Sequence, residues 1–153
     1  MALKDLVIQS QLLPPRQRRG VLRRRRLEER LEAVLDFPLM VVQAGTGYGK
    51  STALAALADL VEVLFWYTIN EPDRDPLLFM AHLVCAFEHH QPAWCEPVMD
   101  ALEEAGGQVS ASLLTPMLNR LTRELDREAV LVLDDYHLVA DVAEIAALVE
   151  HLV

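Results

Sequence analysis

The sequence predicts an α/β fold built around a parallel sheet. A short apolar run at 39–42 leads into a glycine-rich stretch that ends in Gly-Lys-Ser, the order of a strand, a tight loop and a helix start. A second apolar run at 130–133 ends in two carboxylates, as buried parallel strands do where they reach a site. Apolar stretches of helical length separate the two runs, which favours strands joined by crossover helices.

The glycine-rich stretch fits the relaxed Walker A spacing of a phosphate-binding loop. Its three glycines can adopt positive φ and lack a Cβ, so backbone N–H groups can close around phosphate oxygens. We expect Lys50 to reach the β- and γ-phosphates during catalysis and the Ser51 hydroxyl to bind Mg²⁺. The helix that follows adds the positive end of its dipole. The predicted cofactor-binding residues are Ala44, Gly45, Thr46, Gly47, Tyr48, Gly49, Lys50, Ser51 and Thr52.

The flanking residues separate a phosphate loop from its alternative, a glycine-rich hairpin turn. The run at 39–42 has the apolar, β-branched character of a strand, and 51–60 is rich in the helix formers Ala and Leu. A hairpin would need a second strand directly after Lys50, but Ala-Leu-Ala-Ala-Leu-Ala at 53–58 is a poor strand. The sequence therefore predicts a strand at 39–42, a phosphate loop and a helix at 51–60.

The run at 130–135, Val-Leu-Val-Leu-Asp-Asp, has the form of a Walker B strand. We expect Asp134 to hold Mg²⁺ through water, and Asp135 to orient or deprotonate the attacking water as a catalytic residue. Taken alone, the run fits an ordinary strand followed by a polar turn better than a Walker B strand. The presence of a Walker A loop in the same chain favours the interpretation of this run as a Walker B strand.

Composition places the chain among globular single domains. It has 153 residues, 52% of them hydrophobic, and a formal net charge of -9. No apolar stretch reaches the roughly 20 residues of a membrane span, and 1–10 is too polar for a secretory signal, so a cytoplasmic location and no membrane partner are expected. Arginines crowd 16–30, but the acidic remainder opposes a broad DNA-binding face, so no direct DNA binding is expected. Cys85 and Cys95 lack disulfide or metal spacing and are predicted to be reduced packing thiols.

The remaining elements follow from turn residues and periodicity. Residues 1–20 carry Pro14, Pro15 and Gly20 and are predicted to be an extended lead-in to a domain over 21–153. A β-branched and aromatic run at 61–69 predicts a second strand. Helices are predicted at 21–35, 51–60, 77–87 and 98–105, from Ser110 or Ser112 to 125, and at 139–153.

Four stretches together resemble a known family. They are Gly-Tyr-Gly-Lys-Ser-Thr at 47–52, Phe-Trp-Tyr at 65–67, Asp-Arg-Asp-Pro at 73–76 and Leu-Val-Leu-Asp-Asp-Tyr-His at 131–137. These look like the nucleotide-binding domain of the MalT-like, LuxR-type large transcriptional regulators, which belong to the STAND class of signal-transduction ATPases. The resemblance implies a P-loop NTPase domain of the NB-ARC/AAA-like kind, with three αβα layers, ATP or ADP and Mg²⁺ as cofactors, and Arg23 as a nucleotide contact.

The chain departs from this family in two respects. Gly45-Thr46 stands where the family usually has Pro-Ala, and the later strands, sensor arginine, winged helix, repeat array and helix-turn-helix are not in this sequence. The resemblance therefore implies an incomplete sheet with its C-terminal strands missing. In such folds a later strand lies between the Walker A and Walker B strands. We expect that the remainder of a parent chain or self-association supplies it, or that the two strands pair directly and distort the site.

Three functions compete at this point. The leading one is an ATP- and Mg²⁺-binding switch module of a transcription-regulating ATPase, with weak or no hydrolysis in the isolated chain. The second is a P-loop phosphotransferase, which would need an acceptor pocket and an arginine-bearing lid after the Walker B strand. The third is a non-catalytic remnant or interaction domain.

Overall fold

The fold is seen in a computed structural model that describes residues 1–17, 20, 24–45, 47 and 49–153. Two strands pair in parallel, β1 at Val63–Thr68 and β2 at Ala129–Asp134. The register runs from Val63 opposite Ala129 to Thr68 opposite Asp134. The strands predicted at 61–69 and 130–135 are thereby confirmed, and the mixture of helices with a parallel pair is an α/β architecture.

Helices occupy most of the predicted helical stretches. The α-helices are α1 at Arg25–Glu32, α2 at Lys50–Ala55, α3 at Pro76–Glu88, α4 at Glu96–Glu104, α5 at Thr115–Glu124 and α6 at Ala143–Leu152. Short 3-10 helices lie at Leu3–Leu6, Gln9–Leu12, Ala33–Asp36, Ala56–Asp59, Glu71–Arg74, Pro92–Trp94, Ala111–Leu114 and Tyr136–Leu138. Within the described ranges, no helix is long and apolar enough to cross a membrane.

Helices pack against both faces of the strand pair because the side chains of β1 alternate between two cores. Phe65 and Tyr67 point into the larger core, which contains the buried residues of α3. Trp66 points the other way, into a smaller core with Leu31 of α1 and Leu57, which follows α2. Because the two strands are parallel, their carboxyl ends lie at the same edge of the pair.

The strand predicted at 39–42 is wrong, since the structure has no strand there. Met40 and Val42 pack against the smaller core, while Leu39 and Val41 are 57% and 69% exposed. The segment thus alternates inward and outward as a strand would. It fails to be one because neither β1 nor β2 provides its backbone with a ladder of hydrogen bonds.

The N-terminal segment also differs from the extended lead-in predicted for 1–20. Two 3-10 helices fold residues 3–12 onto the larger core, where Leu3, Val7 and Leu12 are buried. These apolar positions follow no simple helical or strand period, so local pattern alone does not reveal their burial. Arg18 and Arg19 of this stretch lie outside the described residues.

The two cysteines are free and buried, as predicted for reduced packing thiols. Each is 1% exposed, and the Sγ of Cys95 donates a hydrogen bond to the Val84 carbonyl at 3.0 Å. Burial raises the pKa of the Cys85 thiol to about 11 and that of the Cys95 thiol to about 12.

Both thiols are therefore expected to resist a thiol-reactive disulfide reagent at pH 8. At that pH only about one Cys85 in a thousand would be the reactive thiolate, and burial also blocks access. We expect the folded chain to react at least roughly 100-fold more slowly than the chain in denaturant, with the rate rising as pH increases. Rapid reaction in native buffer would contradict the closed core around α3.

Candidate functional site

A cavity of about 370 Å³ opens where both strands end. Thr68 and Asp134 come from the carboxyl ends of β1 and β2, and Ser51 comes from the start of α2. The carboxyl edge of a parallel sheet is where ligands bind in open α/β folds, and this volume lies in the range of ligand pockets, roughly 300–1,000 Å³. The structure thereby brings Ser51, Asp134 and Asp135 to one cavity.

Asp134 is the most deeply buried carboxylate of this cavity. It is 2% exposed, and its Oδ1 accepts a hydrogen bond from the Asp135 N–H at 3.1 Å, the one bond to this side chain within the described ranges. A buried carboxylate normally needs several donors or a cation. Among the described residues there is no group of three or more His, Cys, Asp or Glu side chains that could hold a metal.

Asp135 has a backbone conformation that is uncommon for a residue with a side chain. Its φ is 59° and its ψ 30°, the left-handed region, which asparagine and aspartate tolerate better than other non-glycine residues. This turn ends β2 and starts the 3-10 helix at Tyr136–Leu138. The exposed His137 faces Asp135, with Nδ1 3.9 Å from Oδ1.

The glycine-rich loop is only partly assembled around this cavity. Gly47 and Gly49 adopt φ of 83° and 74°, as expected for glycines that turn a loop, and Gly49 directly precedes α2. Of the described loop residues, only Ser51 lines the cavity. The others do not, and they are Ala44, Gly45, Gly47, Gly49, Lys50 and Thr52. The predicted contacts Arg23, Thr46 and Tyr48 lie outside the described residues.

A buried polar cluster next to the cavity is not anticipated by motif analysis. Asp73 is 1% exposed, and its Oδ2 accepts hydrogen bonds from the Asn70 N–H at 2.7 Å and from Gln11 Nε2 at 2.8 Å. Its Oδ1 lies 3.3 Å from Nδ1 of the fully buried His82. His82 Nε2 accepts from the Ile8 N–H at 3.0 Å, so the ring proton lies on Nδ1, which donates it to the Leu78 carbonyl at 2.9 Å. The cluster therefore joins the N-terminal segment to the exit of β1.

The next two residues of the Asp-Arg-Asp-Pro stretch also hold neighbouring segments in place. Asp75 caps α3 by accepting from the Leu77 N–H at 2.9 Å. Arg74 forms a bidentate pair with Asp141 at 2.8 and 2.9 Å and donates to the Leu138 carbonyl at 2.7 Å. The hydrogen bonds between the two side chains lower the pKa of Asp141 and raise the pKa of Arg74. This pair fastens the loop after Asp135 to the loop after β1.

The sequence of the chain is related to parts of large regulatory and signalling proteins. It is 31% identical over 136 residues, 89% of its length, to the HTH-type transcriptional regulator MalT of Yersinia enterocolitica, and 29% identical over 136 residues to MalT of Serratia proteamaculans. It is also 32% identical over 129 residues, 82% of its length, to the serine/threonine-protein kinase PknK of Mycobacterium tuberculosis.

These relatives are several times longer than the chain. The matched stretch makes up 15% of the two MalT proteins and 12% of PknK. No family model matches the chain, and no solved structure matches it significantly. The likeness is therefore to one part of each relative.

Proposed function

We propose that the chain is an ATP- and Mg²⁺-binding switch module of a regulatory protein, with a P-loop NTPase fold of three αβα layers. The observation that carries this proposal is the meeting of Ser51, Asp134 and Asp135 at one cavity at the carboxyl edge of the sheet. Ser51 stands far from the two aspartates in the sequence, and the three side chains are the hydroxyl and carboxylates that the two motifs assign to magnesium and water.

The names of the relatives support a regulatory role. MalT is named a transcriptional regulator and PknK a protein kinase, yet both share this stretch with the chain. A stretch common to proteins with different named activities is better suited to controlling them than to carrying out either one. We therefore propose that this stretch controls the activity of a larger protein in response to a bound nucleotide. We propose no direct DNA binding by this chain.

The site residues have distinct roles in this proposal. Lys50 and the loop from Ala44 to Thr52 bind the phosphates, with Thr46 and Tyr48 contributing through their backbone. Ser51 is a direct Mg²⁺ ligand, and Asp134 accepts hydrogen bonds from Mg²⁺-bound water. Asp135 orients the attacking water, and Arg23 contacts the base. Hydrolysis is slow or absent because no arginine of the described residues lines the cavity to stabilise the transition state.

Replacing Asp134 by asparagine is expected to lower the affinity for ATP in Mg²⁺ by roughly 10- to 100-fold, because an outer-shell partner of the metal is lost. The change is isosteric, and the asparagine Oδ1 can still accept from the Asp135 N–H. Titration of a fluorescent ATP analogue in Mg²⁺ and in EDTA measures the effect. The affinity in EDTA should hardly change.

Asp126→Asn is the matched control, because the Asp126 side chain is 92% exposed on a loop and does not line the cavity. It should leave both affinities unchanged. Equal effects of the two substitutions, or a loss that is the same with and without Mg²⁺, would contradict the metal role of Asp134. Transfer of phosphate to a small acceptor would instead favour a phosphotransferase.

A further inference from the structure

The N-terminal strap, residues 8–15, forms one wall of the cavity. Ser10, Gln11, Leu13 and Pro15 all line it, although the Walker motifs lie far away in the sequence. The strap is firmly attached, since the Ile8 N–H is bound to His82 and the side chain of Leu12 is 2% exposed in the larger core. The wall opposite the motif residues is therefore a fixed part of the fold.

Gln11 is held in one orientation by its amide nitrogen. Nε2 donates to the Thr68 carbonyl at 2.9 Å and to Asp73 Oδ2 at 2.8 Å. Both partners are acceptors only. In the opposite orientation of the amide, Gln11 Oε1 would face these two oxygens without a donor between them. The orientation of Oε1 follows from these two bonds.

The oxygen of the same amide is left available. Gln11 is 5% exposed, and none of the described residues donates a hydrogen bond to Oε1. Oε1 is not a fully buried atom without a partner, so it carries no desolvation penalty, but it is an acceptor held in a fixed orientation in the cavity wall. A ligand in the cavity that donates a hydrogen bond can use it. Thr68, to which Gln11 is bound, lies opposite Asp134 in the strand register.

We propose that Gln11 is a further ligand-binding residue, whose Oε1 accepts a hydrogen bond from an O–H group of the bound nucleotide complex. This rests on the proposed function. Such a donor is supplied either by a water of the Mg²⁺ shell beside Asp134 or by a hydroxyl of the ribose. In either case the strap completes the site. Formation of the site then depends on Asp73 and His82, whose hydrogen bonds hold the strap in place.

The test compares the unaltered chain with Gln11→Met, which keeps the length of the side chain and removes both the acceptor Oε1 and the hydrogen bonds that Nε2 donates to Thr68 and Asp73. Affinities are measured for four probes: ATP, 2′-deoxy-ATP and 3′-deoxy-ATP in Mg²⁺, and ADP in EDTA. We expect Gln11→Met to weaken binding of ATP by roughly 3- to 10-fold. That loss should disappear with one deoxy analogue if ribose is the donor, and with ADP in EDTA if the donor is metal-bound water.

A loss of the same size for all four probes would overturn the proposal, because it would mean that Gln11 only supports the strap. No loss with any probe would overturn it as well. Gln11→Asn retains an amide on a shorter side chain and gives a milder second variant if near-ultraviolet circular dichroism shows that Gln11→Met is not folded. Failure of the unaltered chain to bind any probe would refute the proposed function, and this inference with it.

Discussion

Replacing Asp73 by alanine is expected to destabilise the folded chain by about 2–6 kcal/mol, because two buried N–H groups lose their acceptor, at about 1–3 kcal/mol each. These are the Asn70 N–H and one N–H of Gln11 Nε2. The other N–H of Gln11 keeps the Thr68 carbonyl, and His82 Nδ1 keeps the Leu78 carbonyl. Unfolding in urea, followed by circular dichroism, measures the change. The N-terminal strap should also become more accessible to proteases, because Gln11 and His82 hold it.

Asp75→Ala is the matched control for this prediction. Asp75 lies two residues away and is exposed, and it accepts one hydrogen bond as the cap of α3. The loss of a helix cap is expected to lower the free energy of unfolding by about 1 kcal/mol. If the two alanine variants lost the same stability, the buried cluster would not have the importance that its burial and hydrogen bonds imply.

Replacing Lys50 by alanine is expected to lower the affinity for Mg²⁺-ATP by roughly 10- to 100-fold, because a charged hydrogen-bond donor to the phosphates is lost. The stability of the chain should barely change. The Lys50 side chain is partly exposed and has no hydrogen bond or ion pair with any described side chain, so its truncation removes no polar contact among the described residues. A binding defect could then not be attributed to unfolding.

Lys4, the other lysine of the sequence, provides the control. It lies in the N-terminal segment and forms an ion pair with Glu88, away from the cavity. Lys4→Ala should leave nucleotide affinity unchanged while lowering stability slightly, since exposed ion pairs contribute little. A loss of affinity in both variants would indicate nonspecific attraction of an anion to positive charge.

Sequence patterns predicted the elements that carry their own periodicity. The aromatic and β-branched run of β1, the apolar run of β2 and the long apolar stretch of α3 are each recognisable without tertiary context, because burial dictates their composition. Asp134 ends β2 and Asp135 follows it, but such a pair also fits an ordinary strand and turn, so its prediction as a site depended on the Walker A loop in the same chain.

Long-range contacts explain what the sequence patterns could not predict. The residues at 39–42 have strand composition, but a strand also requires a partner, and this depends on which other strands are present. Gln11 gave no signal because a single glutamine among polar residues is ordinary. Its significance comes from Thr68 and Asp73, which only folding brings beside it.

The most direct test of nucleotide binding is a calorimetric titration of Mg²⁺-ATP into the purified chain, with Lys50→Ala in parallel. Saturable binding by the unaltered chain, lost or strongly weakened in the variant, is the predicted result. It would mean that the loop and the carboxylates form a working site in this chain. Absence of binding by the unaltered chain, or equal binding by both proteins, would contradict the assignment of the cavity to a nucleotide.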